Sequence, residues 1–342
     1  MSLLRKVLRR TYRNSVAKST PSPSPSSSVS QAEKETPKLS NSPKSWFISA
    51  SKNRIHAFFG WLQRNKRSIL SGIIVTSVVS INYYRNHLQV TPITNRKRFI
   101  ALTKDQFATV CHAELERIRE KYKGQILPIK DARSKRVVYI LNRLVSRNRN
   151  ISATNREWFV TVIDSEEKHA KSISTGYIII TTGLLNHVSN DDQLGILLSH
   201  EMAHAMLQHD LEKISWTLLM QTVWQGVTNV IISLSPIDFV QKILNVTRDK
   251  LIEVVANLPY GRLLEREADE LGLQLAARAC FDPREAYAYW AGFTPKAGLM
   301  NSMNPILAKW IYHHPNYGDR SERIEQLMEQ AEVSKKHCFS GV

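Results

Sequence analysis

Two short strings constrain this chain of 342 residues more tightly than anything else in it: His200-Glu201-Met202-Ala203-His204 and Glu265-Arg266-Glu267-Ala268-Asp269. Residues four apart on a helix share a face. His200 and His204 therefore present two imidazole nitrogens to one point, a pair suited to zinc at about 2.0–2.1 Å. Glu201 lies about 100° further around the helix than His200. It is placed to reach a water at that point rather than to bind beside the histidines, which suits a general base. The flanking residues support a helix. Asn190, Asp191 and Asp192 offer a cap and an acidic first turn, Leu194 to Leu198 supply an apolar lead-in, and no proline intervenes before His209.

Two imidazoles do not complete a metal site. In one zinc-protease pattern a third histidine follows the second after a glycine turn. Here the corresponding positions hold Asp210 and Leu207, so the third ligand must come from further along. Glu265 fits. Asp269, four residues on, faces the same way and can accept a hydrogen bond from a ligand imidazole. Small Ala268 allows two helices to meet closely. Glu267 is the rival third ligand. A structural zinc site is normally closed by four protein ligands. Three ligands beside an unused glutamate favour catalysis over a zinc-stabilised membrane scaffold or holdase, the reading of another class. Cys111, Cys280 and Cys338 are not spaced as a metal pair.

The formal charge of +17 suggests an acidic partner until its distribution is read. Residues 1–98 hold 18 Lys+Arg against 2 Asp+Glu, whereas the rest holds 29 against 28. The second part is nearly neutral, so nucleic acid loses its support as a partner. The basic excess reads as addressing: Arg5, Lys6, Arg9, Arg10, Arg13 and Lys18 flank an apolar stripe of Leu3, Leu4, Val7 and Leu8, as in a mitochondrial transit peptide. A Ser/Pro-rich linker completes residues 1–45, and a basic juxtamembrane segment spans 46–67. Residues 68–84 are uncharged, lie between Arg67 and Arg85, and read as a transmembrane helix at the short end of what spans a bilayer. A second uncharged stretch, 216–234, suits lipid contact, a lid or core packing alike.

Residues 90–342 read as one helix-rich domain with a small sheet, an α+β arrangement. Helical spacing covers 104–123, 135–147, 261–280, 284–293 and 320–334. Trp158–Ile163 reads as a strand paired with Tyr177–Thr181, and the latter strand could take up an extended substrate by strand addition.

The two strings resemble the M48 family of zinc metalloendopeptidases. A further family element is similar to His314-Pro315 followed by Arg320. Within the family, Thr91–Phe99, Thr181–Leu185 and Leu258–Tyr260 are similar to its mitochondrial inner-membrane branch, and the likeness covers roughly residues 90–338. One departure is the run from His169 to Gly176, where the family has an Asn-Ala-Phe-like sequence. The resemblance implies a zincin-like (gluzincin) metallopeptidase with one Zn2+ held by His200, His204 and Glu265, and with Glu201 as base. It implies His314 as a donor to the oxyanion and Arg320 as its support. It also implies single-pass anchorage in the inner membrane with the peptidase domain facing the intermembrane space. Its implied substrates are inner-membrane proteins, including a dynamin-like fusion GTPase, in stress-linked quality control. The lipid bilayer is the expected partner, and assembly of identical copies is left open. The prenyl-protein peptidases of the same family need several spans, and this chain offers one clear one. The intermembrane space permits disulfides, and Cys280–Cys338 would tie the C-terminal tail to the Glu265 helix.

Overall fold

In the computed structural model of the chain, residues 43–91, 93–234, 259–291, 318–336 and Cys338 are described. The chain divides into two units, Met1–Gly60 and Trp61–Val342. Of the first, the described part is the opening of helix α1 (Pro43–Asn86); the rest of the description concerns the second. Most of the transit-peptide segment, 1–45, lies outside the described residues.

Helix α1 contains the whole of 68–84, and no helix among the described residues is long and apolar enough to cross a membrane. The apolar side chains of that run are nevertheless exposed: Leu70, Ile74, Val75, Val78, Val79 and Ile81 are each more than half accessible. Immediately after α1 comes an antiparallel hairpin of β1 (Leu88–Val90) and β2 (Lys97–Phe99), with Leu88 opposite Phe99.

Helix α2 (Lys104–Lys121) opens on a capping box. Gln106 N–H donates to the Thr103 hydroxyl, and Thr103 N–H donates to the Gln106 side chain. Helix α3 (Ala132–Arg147) is capped by Asp131 and buries Val137, Ile140, Leu141 and Leu144, a stripe with helical spacing. Helix α2 starts at the residue the sequence predicts, whereas α3 starts three residues ahead of its apolar pattern, because the Asp131 cap rather than periodicity sets its start.

A three-stranded sheet follows, made of β3 (Phe159–Ile163), β4 (Ala170–Ile173) and β5 (Tyr177–Thr181), in the order β3-β5-β4. Strand β5 pairs in parallel with β3, Phe159 opposite Tyr177, and antiparallel with β4, Ala170 opposite Ile180. The pairing of 158–163 with 177–181 is as the sequence predicts. The expectation that Tyr177–Thr181 receives a substrate strand is corrected: both its edges are taken, among the described residues β3 and β4 are the outer strands, and β4 is the one that lines the cleft. The physical reason is the tight turn at Gly176, φ +100°, which folds the polar-looking segment before β5 back alongside it.

A single turn, α4 (Thr182–Leu185), leads to α5 (Asp191–Leu207). Helix α5 starts at Asn190, whose side chain accepts the Gln193 N–H at 2.8 Å, and carries Asp191 and Asp192 in its first turn. Every residue from Gln193 to Leu207 is buried, so α5 is the central element. It ends where Gln208 adopts the left-handed conformation, φ 56°. There the buried Arg98 of β2 donates to the Leu207 carbonyl, putting a cation on the negative end of the helix. The chain then restarts as α6 (His209–Leu234), which contains 216–234. Helix α6 meets α1 where Gly72 faces Val230 and Gly226 faces Thr76.

Around α5 pack α3, the sheet, α7 (Pro259–Arg278) and α8 (Arg284–Ala291), and α9 (Gly318–Lys336) packs against α7 and α8. Helix α7 approaches α5 closely at Gly272. A methyl group there would stand 2.9 Å from His200 Cα and 3.0 Å from its nitrogen. Beyond α7, Arg143 of α3 donates to the Ala279 and Cys280 carbonyls at 2.8 and 2.9 Å. Cys280 is joined to Cys338 by a disulfide, as the sequence expectation had it. Cys111 is a free buried thiol, pushed up to about 12 by its burial.

Candidate metal centre

Helix α5 supplies His200, Glu201 and His204; helix α7 supplies Glu265 and Asp269. The close crossing at Gly272 brings the two faces together. His200 Nε2 and His204 Nε2 stand 3.0 Å apart, and each is 3.4 Å from an oxygen of Glu265. All three residues are buried, and their ligand atoms lie within 4.8 Å of one another. A tetrahedral ion with arms of about 2.0–2.1 Å has ligand–ligand edges of about 3.3–3.4 Å. Those separations, and a donor set of two nitrogens and one carboxylate, fit a zinc ion. This cluster could hold a metal.

The outer nitrogens of the two imidazoles are also engaged. His200 Nδ1 lies 3.1 Å from Asp269 Oδ1. The carboxylate can only accept, so the proton sits on Nδ1 and the Nε2 lone pair points into the cluster. His204 Nδ1 lies 2.8 Å from Nδ1 of a second imidazole, His209. Burial pushes His204 well below its ordinary value, with Glu265 pulling the other way, so the ring is neutral as a ligand must be. His209 is lowered too, again chiefly by burial.

Glu267, the rival third ligand in the sequence, is not in the cluster. Its carboxylate meets His209 Nε2 at 3.3 Å and Arg96 Nε at 2.7 Å. Burial works against its charge, but the hydrogen bonds from His209 and Arg96 prevail and hold it at about 2. Arg96 reaches on to Glu212, a fully buried carboxylate, with Nη1 and Nη2 at 2.7 and 2.9 Å. Neither His209 nor Glu212 stood out in the sequence; Arg96 lay inside the Thr91–Phe99 run and Glu267 inside the second string, with no sign that the two meet.

Glu201 is 2% exposed and borders a cleft of about 280 Å3. Ala170, Lys171 and Ser172 of β4 form one wall, and His204, Asp210 and Lys213 contribute to the other side. The rim is fastened at two points: Asp210 accepts from the Ser174 backbone N–H at 3.1 Å, and Lys171 pairs with Glu114 at 2.6 Å. His314 lies outside the described residues. Arg320 belongs to α9, of which only the backbone is described at that position.

The model of the family described as Peptidase family M48 matches residues 131–330. The cattle protein "Metalloendopeptidase OMA1, mitochondrial" (Bos taurus) is 32% identical over 296 residues, which covers 86% of this chain and 56% of its own length. Its human counterpart (Homo sapiens) is 31% identical over 298 residues, with the same shares covered. The "Mitochondrial metalloendopeptidase OMA1" of Schizosaccharomyces pombe is 26% identical over 254 residues, covering 74% of this chain and 70% of its own. The chain thus spans little more than half the length of its mammalian relatives.

Proposed function

Because the chain belongs to peptidase family M48, we propose that it is a zinc-dependent metalloendopeptidase of mitochondria. The observation that carries this is the convergence of His200, His204 and Glu265 on one buried point, beside Glu201 at a cleft walled by an edge strand. Three protein ligands leave a position for chemistry, as catalytic zinc sites do.

Zinc, when bound, supplies a Lewis acid for the scissile carbonyl and makes water more acidic. The chain's own residues do the rest. His200, His204 and Glu265 hold the ion, and Asp269 keeps His200 in the tautomer that can bind it. The outer edge of β4 receives the substrate backbone in extended form, by the same hydrogen bonds that join strands. Glu201 takes the proton of the attacking water on a carboxylate oxygen and returns it to the leaving amine. By resemblance, His314 is assigned to the carbonyl oxygen as its charge develops, with Arg320 as its support.

The proposal extends to the location. The exposed apolar residues of α1 support contact with a bilayer, and the Cys280–Cys338 bond supports an oxidising compartment. Inner-membrane proteins, among them a dynamin-like fusion GTPase, are the proposed substrates.

The test is Glu201→Gln in the full chain, with zinc content and cleavage of an unfolded reporter polypeptide read together. The variant is expected to keep its zinc and lose cleavage. Loss of zinc would make Glu201 a ligand and overturn the assignment. Full cleavage would remove its role as base.

A further inference from the structure

The two imidazoles of the metal centre are anchored by different devices. His200 is held by Asp269, a carboxylate on the helix that also carries Glu265. His204 is held by a chain of side chains that ends outside both helices. We infer that Arg96, acting through Glu267 and His209, positions His204 for the metal, so that the β1–β2 hairpin sets the geometry of a site to which it gives no ligand. The inference rests on the zinc reading above.

The hydrogen-bond directions are consistent from end to end. With its Nε2 turned to the cluster, His204 carries its proton on Nδ1 and donates to His209 Nδ1, 2.8 Å away. His209 then carries its proton on Nε2 and donates to Glu267 Oε2 at 3.3 Å. Glu267 accepts from Arg96 through both oxygens, at 2.7 and 2.9 Å, and from the Thr94 hydroxyl at 3.2 Å. Each donor in the chain meets an acceptor and each acceptor a donor.

Arg96 is the fixed point of the relay. Its guanidinium forks onto two carboxylates at once, Glu267 and the fully buried Glu212. Without that cation two like charges face each other in a poorly solvated place, and the side chains must turn apart. Turning Glu267 withdraws the acceptor from His209, and His204 then loses its outer anchor. Helix α5 cannot substitute, because it has ended: Gln208 stands in the left-handed conformation between the two histidines. A lysine at 96 keeps the charge but not the planar fork, so it cannot serve both carboxylates in this geometry.

The experiment uses the full chain, its apo form prepared with a chelator. Zinc affinity is measured by competition with a chromophoric chelator, and the visible spectrum is recorded after loading with Co2+. The variants are Arg96→Lys, Glu267→Gln and, as control, Arg117→Lys, an exposed arginine paired with Glu114. Arg96→Lys and Glu267→Gln are each expected to weaken zinc about 10- to 100-fold, the range for lost outer partners of a metal-bound histidine. Both should also change the Co2+ ligand-field bands, which a loss of general stability would not do. The control should change neither. If Arg96→Lys fails to fold, Glu267→Gln carries the decision. Wild-type affinity and an unchanged Co2+ spectrum in a folded relay variant would overturn the inference and leave the zinc reading intact. A wild-type chain that takes up no zinc would overturn both, and shows itself before any variant is made.

Discussion

Gly272→Ala isolates the contact on which the candidate metal centre depends. The added methyl would lie 2.9 Å from His200 Cα, 3.0 Å from His200 N and 3.2 Å from Ser199 C, where ordinary contact begins at 3.4 Å. These are backbone atoms, so no rotamer relieves the clash; α5 and α7 must separate by about half an ångström (3.4 less 2.9). Two stability effects oppose each other. Alanine in a helix gains about 1 kcal/mol over glycine. Overpacking costs about 1–3 kcal/mol. The net loss is then at most about 2 kcal/mol, and the fold survives. The metal is less forgiving, because ligand distances hold to within about 0.2 Å. Gly272 stands on the same face of α7 as Glu265 and Asp269, so the displacement falls between Glu265 and the two histidines. We expect zinc affinity to drop about 10- to 100-fold, comparable to the loss of an outer-sphere partner. Chelator competition reads the affinity, and thermal unfolding of the apo protein reads the fold. Gly195→Ala is the contrast: its methyl strikes the Phe281 ring at 2.6–2.7 Å, which should lower stability while leaving zinc affinity unchanged. Wild-type affinity in Gly272→Ala would refute the reasoning, as would an equal loss in Gly195→Ala.

Cys280→Ser with Cys338→Ser opens a loop of 58 residues, and loop-closure entropy puts the loss of stability at about 4 kcal/mol, measurable by urea unfolding. Glu114 gives a pH signature. Burial opposes its charge, but Arg117 and Lys171 prevail and hold the carboxyl at about 2, below its ordinary 4.5. Its folded-state value is depressed, so its contribution is fully present above about 4.5 and is lost as pH falls towards 2. The stability deficit of Glu114→Gln should therefore be constant near neutrality and shrink through that window; a deficit that grows on acidification would contradict the pairing.

The metal cluster was legible because its rule is local. Helical spacing puts His200 and His204 on one face of α5, and Glu265 and Asp269 on one face of α7. The relay was not legible, because no local pattern joins Arg96 to Glu212 or Glu267, which lie 116 and 171 residues away. Gly272 carried no signal either, since a helical glycine looks like a defect until the opposing backbone is known. In the sheet, β3 and β5 announce themselves by apolar, β-branched residues. The sequence of β4, Ala-Lys-Ser-Ile, does not, and only its pairing with β5 makes it a strand. The disulfide could be anticipated from compartment rather than from spacing.

The order β3-β5-β4 has a consequence for how the molecule comes into being. Neither β3 nor β4 pairs with the other; each pairs with β5, the last of the three to be synthesised. A chain made or threaded amino-terminus first exposes two strands that lack their shared neighbour until residues 177–181 arrive, an interval in which such segments are open to aggregation. The histidine-bearing helix begins only ten residues after Thr181, at Asp191. Assembly of the cleft wall and arrival of that helix are thus nearly simultaneous events. An interrupted chain that stops before Tyr177 has β4 without the strand that holds it, and it lacks the histidine pair.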